Sequence, residues 1–117
     1  MKAVLINTIG EPKVLDIQNI PKPKITNAYE VLVRIKAASV NPIDIKLRAG
    51  DYPLNNFPAI LGCDAAGIVD EVGSKVTKVK KGDHVYYFHG GLDGIQGNYA
   101  EYKLLNQRFI AKKPESI

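Results

Sequence analysis

The clearest pattern in the chain lies at residues 30–38, where Val31, Val33 and Ile35 alternate with Leu32, Arg34 and Lys36. A period of two turns one apolar and one mostly charged face out of an extended strand. Residues 2–7 and 14–20 are shorter apolar runs on either side of Gly10-Glu11-Pro12, which predicts a hairpin. Pro21 and Pro23 close its second strand, since neither can donate to a ladder. Further strands are predicted at residues 66–72, 83–88, 98–105 and 109–111. Turn signals at Gly73-Ser74-Lys75 and Lys80-Lys81-Gly82 separate some of them, and a glycine-rich loop fills residues 89–97. There is no internal repeat and no long helical pattern. Many short strands with close turn punctuation predict an all-β barrel or sandwich.

One stretch, residues 39–67, breaks the strand pattern. Asn41 suits a helix N-cap, and Pro42 suits the first helical position. Asp44 and Arg48 stand four apart, the spacing of an ion pair along a helix, and Gly50 suits the stop. The pattern therefore predicts one short capped turn at a strand end, carrying or adjoining Asn41, Asp44 and Tyr52. Binding groups are often gathered on loops held by a rigid scaffold. Each residue also has a plain structural reading: Asn41 as a cap, Asp44 as the partner of Arg48, and Tyr52 as an aromatic packed beside Pro53.

Composition narrows the class. With 117 residues the chain is expected to form one domain, 1–117. No apolar run approaches the ~20 residues that span a bilayer. The first residues read as a strand rather than a secretory signal. A single cysteine, Cys63, excludes an internal disulfide and, without an export signal, points to a reducing cytoplasm. The net charge of +4 is compatible with an anionic ligand, but it also fits a lysine-rich solvated surface. Lys75, Lys78, Lys80 and Lys81 lie near Tyr86-Tyr87-Phe88, a mixture found on single-strand nucleic-acid binders. They fall at a turn between strands, so no nucleic-acid partner is expected. His84 and His89 have odd spacing, which would set them on opposite faces of one strand. The glycines at 90, 91, 94 and 97 do not follow the G-x-G-x-x-G spacing, and no helix follows them.

Three segments together carry a family resemblance: Ala38-Ser39-Val40-Asn41-Pro42-Ile43-Asp44, Leu61-Gly62-Cys63-Asp64-Ala65-Ala66-Gly67, and the run from Val72 to Asp83. They resemble the N-terminal half of a medium-chain dehydrogenase/reductase, in its zinc-independent quinone oxidoreductase branch. The likeness extends from Met1 to Pro114. It implies a GroES-like, partly open β-barrel, and a Rossmann cofactor domain that follows about where this chain ends. It further implies NADPH-dependent reduction of quinones or α,β-unsaturated carbonyls by a homodimeric full-length enzyme, with this portion inactive alone. Zinc members of the family place a Cys where this chain has Asn41 and a His where it has Cys63, so no zinc is expected. By the resemblance, Asn41 and Tyr52 are the catalytic candidates, as hydrogen-bond donors to the acceptor carbonyl. Asn41, Asp44 and Tyr52 are the cofactor-binding candidates, with Asp44 either orienting Asn41 or meeting the nicotinamide amide or ribose. Lys46 is a further possible donor, although helical periodicity turns it away from Asn41 and Asp44. Cys63 is expected to be a small, partly buried apolar residue. The other reading of the fold is a stand-alone GroES-like assembly module, with Leu92 and Ile95 at the tip of a partner-binding loop.

Overall fold

The computed structural model describes residues 1–92 and 94–114. Its strands are β1 (Lys2–Leu5), β2 (Asp16–Asn19), β3 (Glu30–Ala38), β4 (Asp64–Val72), β5 (His84–Phe88), β6 (Tyr102–Asn106) and β7 (Ile110–Lys112). One helix, α1 (Pro42–Ala49), joins β3 to β4, and two 3-10 turns cover Pro12–Val14 and Gln107–Phe109. β1 and β2 form the expected antiparallel hairpin. The other five strands make one antiparallel sheet in the order β6-β3-β4-β5-β7, curled into a half-barrel. The fold is the all-β, GroES-like one that the pattern and the resemblance predicted.

Alternation decides what the sheet buries. β5 is strictly alternating, with Val85 and Tyr87 inside and His84, Tyr86 and Phe88 outside. Val31, Val33, Val69, Val85, Leu105 and Ile110 meet in the main core. β3 departs from simple alternation, because Leu32 is as fully buried as Val31 and Val33. A register irregularity against β4 falls between Leu32 and Val33. A second apolar cluster, Ile6, Leu47 and Leu61, fastens α1 to the hairpin and to the chain before β4.

Strand ends differ from the sequence reading where local bonds compete with the ladder. Val14 belongs to a 3-10 turn led by Pro12, and the second strand of the hairpin starts only at Asp16. β4 starts at Asp64, two residues early, paired with Phe88. Residues 98–101 are not in β6. The Asn98 and Tyr99 N–H groups donate instead to Leu61 O, at 2.9 and 3.1 Å, and Glu101 donates to Lys2 O. Phe109 lies in a 3-10 turn, with β7 following it.

Candidate functional site

The site grows from the turn that follows β3. Pro42 supplies the first helical position of α1, and Gly50 ends the helix with φ of 94°. Asn41 is the N-cap and Asp44 the third helical residue. The Asp44 carboxylate folds back to accept the Asn41 N–H at 2.8 Å. This is a capping box, with the Asn41 side chain set toward the Asp44 N–H in return, and it places an anion at the positive end of the helix.

Asp44 is only 3% exposed. Its oxygens also face the Tyr99 hydroxyl at 3.2 Å and the Cys63 thiol at 3.4 Å. The same Tyr99 hydroxyl lies 2.9 Å from Ser39 O. The expected Asp44–Arg48 ion pair therefore does not form. The cap, the buried Cys63 thiol and the partly buried Tyr99 hydroxyl hold Asp44 inward, while the Arg48 guanidinium donates to Gly10 O. Gly10 in turn donates its N–H to Arg48 O at 2.7 Å, so Arg48 ties the hairpin turn to the helix.

Asn41 is drawn toward a second carboxylate. Its Nδ2 lies 3.1 Å from Asp64 Oδ2 and 3.4 Å from Ser39 Oγ. Ser39 donates to the other Asp64 oxygen through its hydroxyl at 2.5 Å and its N–H at 3.3 Å. The Ser39 hydroxyl holds the Asp64 carboxyl below the usual carboxylate range, and the Asn41 amide adds to the effect against some burial. Burial, then the neighbouring Asp44, pushes the Cys63 thiol up to about 11. Burial together with Asp44 raises the Tyr99 phenol as well. Both groups thus stay protonated at neutral pH.

Tyr52 stands apart from this cluster. It follows Gly50, is 44% exposed, and its hydroxyl bonds none of the described residues. The Lys46 ammonium sits 5.3 Å from its ring centroid. Lys46 is exposed and turned to Tyr52, away from the buried Asp44, as periodicity predicted. The structure therefore joins Asn41 to Asp44 at one end of α1 and sets Tyr52 with Lys46 at the other. Ser39, Asp64 and Tyr99 belong to the cluster, and sequence reasoning did not select them as site residues. Asp64 carried a signal, in the acid beside Cys63. Ser39 and Tyr99 carried none, because Tyr99 reaches Asp44 across 55 positions of sequence.

Apolar grooves flank the cluster on both sides. One runs from Ser39 and Asp64 along Ala37, Ala38, Ala66 and Tyr86. The other, about 430 Å³, passes Asp44 and Tyr99 between Leu15, Val40 and Ile45. Exposed apolar residues stand in the grooves, Val40 at 67%, Ile45 at 50% and Tyr86 at 50%, and others lie elsewhere, Ile17 of β2 being 72% exposed. Tyr52, Phe57 and Phe109 are exposed as well, whereas Ile60 and Leu61 are buried.

The groups present do not suit zinc. It takes thiolate, imidazole or carboxylate ligands, usually three or four. Here an amide stands at Asn41, and the Cys63 thiol keeps its proton against Asp44. No group of three His, Cys, Asp or Glu among the described residues is arranged to hold a metal ion. The glycine-rich loop does not suit a dinucleotide phosphate either. Gly90, Gly91 and Gly94 have φ of 92, 77 and 77°, and a Cβ at Gly90 would strike Gln96 O and Lys103 Nζ. Among the described residues no α-helix follows those glycines to receive an anion. Among the described residues, no helix is long and apolar enough to cross a membrane.

This fold, with a polar cluster at the strand end beside α1, defines a class. Residues 27–115 match the alcohol dehydrogenase GroES-like domain, and the chain belongs to that family. Over 118 residues it is 34% identical to a quinone oxidoreductase of Lama guanicoe, covering 100% of this chain and 34% of that protein. It is 36% identical to an NADPH-dependent alkenal/one oxidoreductase of Arabidopsis thaliana, covering 100% of the chain and 32% of the relative. The crystal structure of Escherichia coli quinone oxidoreductase complexed with NADPH superposes with a TM-score of 0.86 at 32% identity, over 100% of this chain and 34% of that one. The chain thus spans about a third of the length of the curated relatives it matches.

Proposed function

We propose that the chain is the N-terminal catalytic-domain portion of a zinc-independent, NADPH-dependent oxidoreductase that reduces quinones or α,β-unsaturated carbonyls, and that it is inactive alone. The observation that carries this reading is the chemistry of the side chains gathered at the end of β3. The Asn41 amide and the protonated Cys63 thiol stand where the resemblance gives a zinc member its Cys and His, between two apolar grooves that suit a flat, weakly polar acceptor. The similarity to quinone and alkenal/one oxidoreductases supports the same reaction class.

When bound, NADPH supplies the hydride. Hydride transfer asks little covalent work of the protein. The acceptor carbonyl must be placed, and its growing negative charge must meet fixed donors. Asn41 and Tyr52 face the reacting pair, with the free Tyr52 hydroxyl and the Lys46 ammonium beside it as the donors. Asp44, buried and bonded to the Asn41 N–H, takes part by holding Asn41 in place. A companion Rossmann domain grips the rest of the cofactor. The longer protein is cytoplasmic and homodimeric in this reading.

The assembly-module alternative gains no support from the 89–97 loop. Leu92, one of its two apolar tips, packs into the Ile6–Leu47–Leu61 cluster instead of standing free. The test is NADPH oxidation with a benzoquinone, measured for this chain alone and for this chain joined to the C-terminal two thirds of the Escherichia coli enzyme. Turnover by the joined protein only is expected. Turnover by the chain alone, or a folded joined protein that binds NADPH and reduces neither quinones nor enones, overturns the proposal.

A further inference from the structure

Leu61 lines two cavities: the groove beside Asp44 and Tyr99, and a second cavity of about 270 Å³. The second is walled by Leu5 and Ile20 from the N-terminal hairpin, Leu54 and Ile60 from the chain before β4, and Leu92 and Ile95 from the glycine-rich loop. Leu5, Ile60 and Leu61 are buried, and Ile95 stands half-exposed at the rim. Backbone bonds fix these walls. Ile6 and Ala59 exchange N–H donors at 2.9 Å each way, and Gly97 donates to Ile60 O at 2.8 Å. Within the loop, Gly91 donates to Ile95 O and Ile95 donates to Leu92 O. The opposing segments meet at the rim, where a Cβ on Gly94 would lie 2.8 Å from Asn56 Nδ2. Collapse onto the space would break these bonds, so the cavity is part of the fold.

The chemistry of the wall selects a ligand. None of the described lining residues carries a charge, and the two polar side chains, Asn56 and Gln96, are neutral amides. An ion would lose its water there without gaining a counter-charge. No aromatic ring among the described lining residues offers a face for a planar ligand to stack on. At roughly the 30 Å³ share of a water molecule for each methylene, the cavity takes about nine. We propose that this cavity is a binding site for a neutral, unbranched aliphatic chain, and that it takes the tail of the electron acceptor. The second half rests on the function proposed above. It follows from Leu54, two residues past Tyr52, and from Leu61, which borders the groove at Asp44. The first half does not depend on that function. The acceptor class is then an enone or quinone that carries an alkyl tail.

The experiment is a methyl NMR titration of the 117-residue chain with straight-chain alcohols as probes. 1-Octanol should shift the methyls of Ile60, Leu92 and Ile95 to saturation and leave those of Val40 and Ile45, in the other groove, in place. From 1-butanol to 1-octanol each added methylene should tighten binding about threefold to fourfold. The gain should stop by 1-dodecanol, which outgrows the cavity. Ile95→Trp, which fills the rim from an exposed position, should weaken 1-octanol about tenfold, the effect of roughly two methylenes. If that variant fails to fold, the chain-length series on the wild type decides. The absence of a saturable shift, equal shifts in both grooves, or affinity still rising at 1-dodecanol overturns the site. In the joined protein, 1-octen-3-one should be reduced with a kcat/KM about tenfold or more above that of 3-buten-2-one, and Ile95→Trp should erase the preference. Equal kcat/KM for the two enones overturns the tail assignment. Failure of the joined protein to oxidise NADPH with any acceptor sinks the proposed function, and the tail assignment with it, and leaves the alcohol site standing.

Discussion

The sheet core and the strand-end layer lie side by side and are held by different forces. Val31, Val33, Val69, Val85, Leu105 and Ile110 bury apolar side chains and little else. The layer made by residues 39–64, 89–92 and 94–99 adds to its own apolar cluster a set of polar groups held out of water. Asn98 is 1% exposed, and its Nδ2 lies 2.9 Å from both Gly62 O and His89 O. Tyr87 joins the two regions: its ring lies in the core, and its hydroxyl donates to Asn98 Oδ1 at 2.7 Å. An apolar core tolerates exchange among side chains of similar volume, whereas a buried polar network fails when one member leaves. A site built on the second kind of support is fixed in geometry and fragile to substitution.

That contrast predicts a ranking. Asn98→Ala strands the Tyr87 hydroxyl and weakens the bonding of two carbonyls, at about 1–3 kcal/mol for each group left unmet. Its total cost should be about 3 kcal/mol or more in urea unfolding, matching the ~2–5 kcal/mol of a core truncation such as Leu105→Ala. A cost under about 1 kcal/mol for Asn98→Ala would erase the distinction between the regions.

Lys103 should behave in the opposite sense. It is 2% exposed, donates to Gln96 O, and burial pushes its ammonium down to about 8 from an ordinary 10.5. Between those values the unfolded chain binds the extra proton, so this group makes folding stability rise with pH from about 8 to 10.5; below 8 its penalty is constant. Lys103→Met should stabilise the protein at neutral pH by about 1–2 kcal/mol and flatten that rise. Thermal melts across the alkaline range check both.

The smallest effect concerns Cys63. With its thiol near 11 instead of 9.0, its thiolate fraction at mildly alkaline pH falls about a hundredfold, and burial adds to the protection. A disulfide reagent should label it only on unfolding. Labelling of the native protein at the rate of a free thiol would refute the Asp44–Cys63 contact.

The same division explains what was legible in the sequence. Core strands announce themselves because burial imposes a period of two, kept strictly in β5 and broken in β3 only where Leu32 is buried beside Val31 and Val33. Asn41, Pro42 and Gly50 announced α1, because capping chemistry is local. The cluster around Asp44 was only half legible. The sequence offered Arg48 at the right spacing, and nothing local revealed that Tyr99 and Cys63 would compete from across the fold. Asn98 looked like the start of a strand because its bonds to Gly62 and His89 depend on how two distant loops meet. Long-range polar contacts have no period, so no pattern along the chain foretells them.

The measurement that tests the account most directly is the turnover number for quinone in the joined protein, with and without Tyr52→Phe. Loss of one donor to a developing negative charge costs about a hundredfold in other acyl- and carbonyl-polarising sites. The account predicts a fall of at least tenfold in kcat with an unchanged melting temperature, because the Tyr52 hydroxyl bonds none of the described residues. An unchanged kcat would contradict the claim that the exposed end of α1 faces the reacting carbonyl.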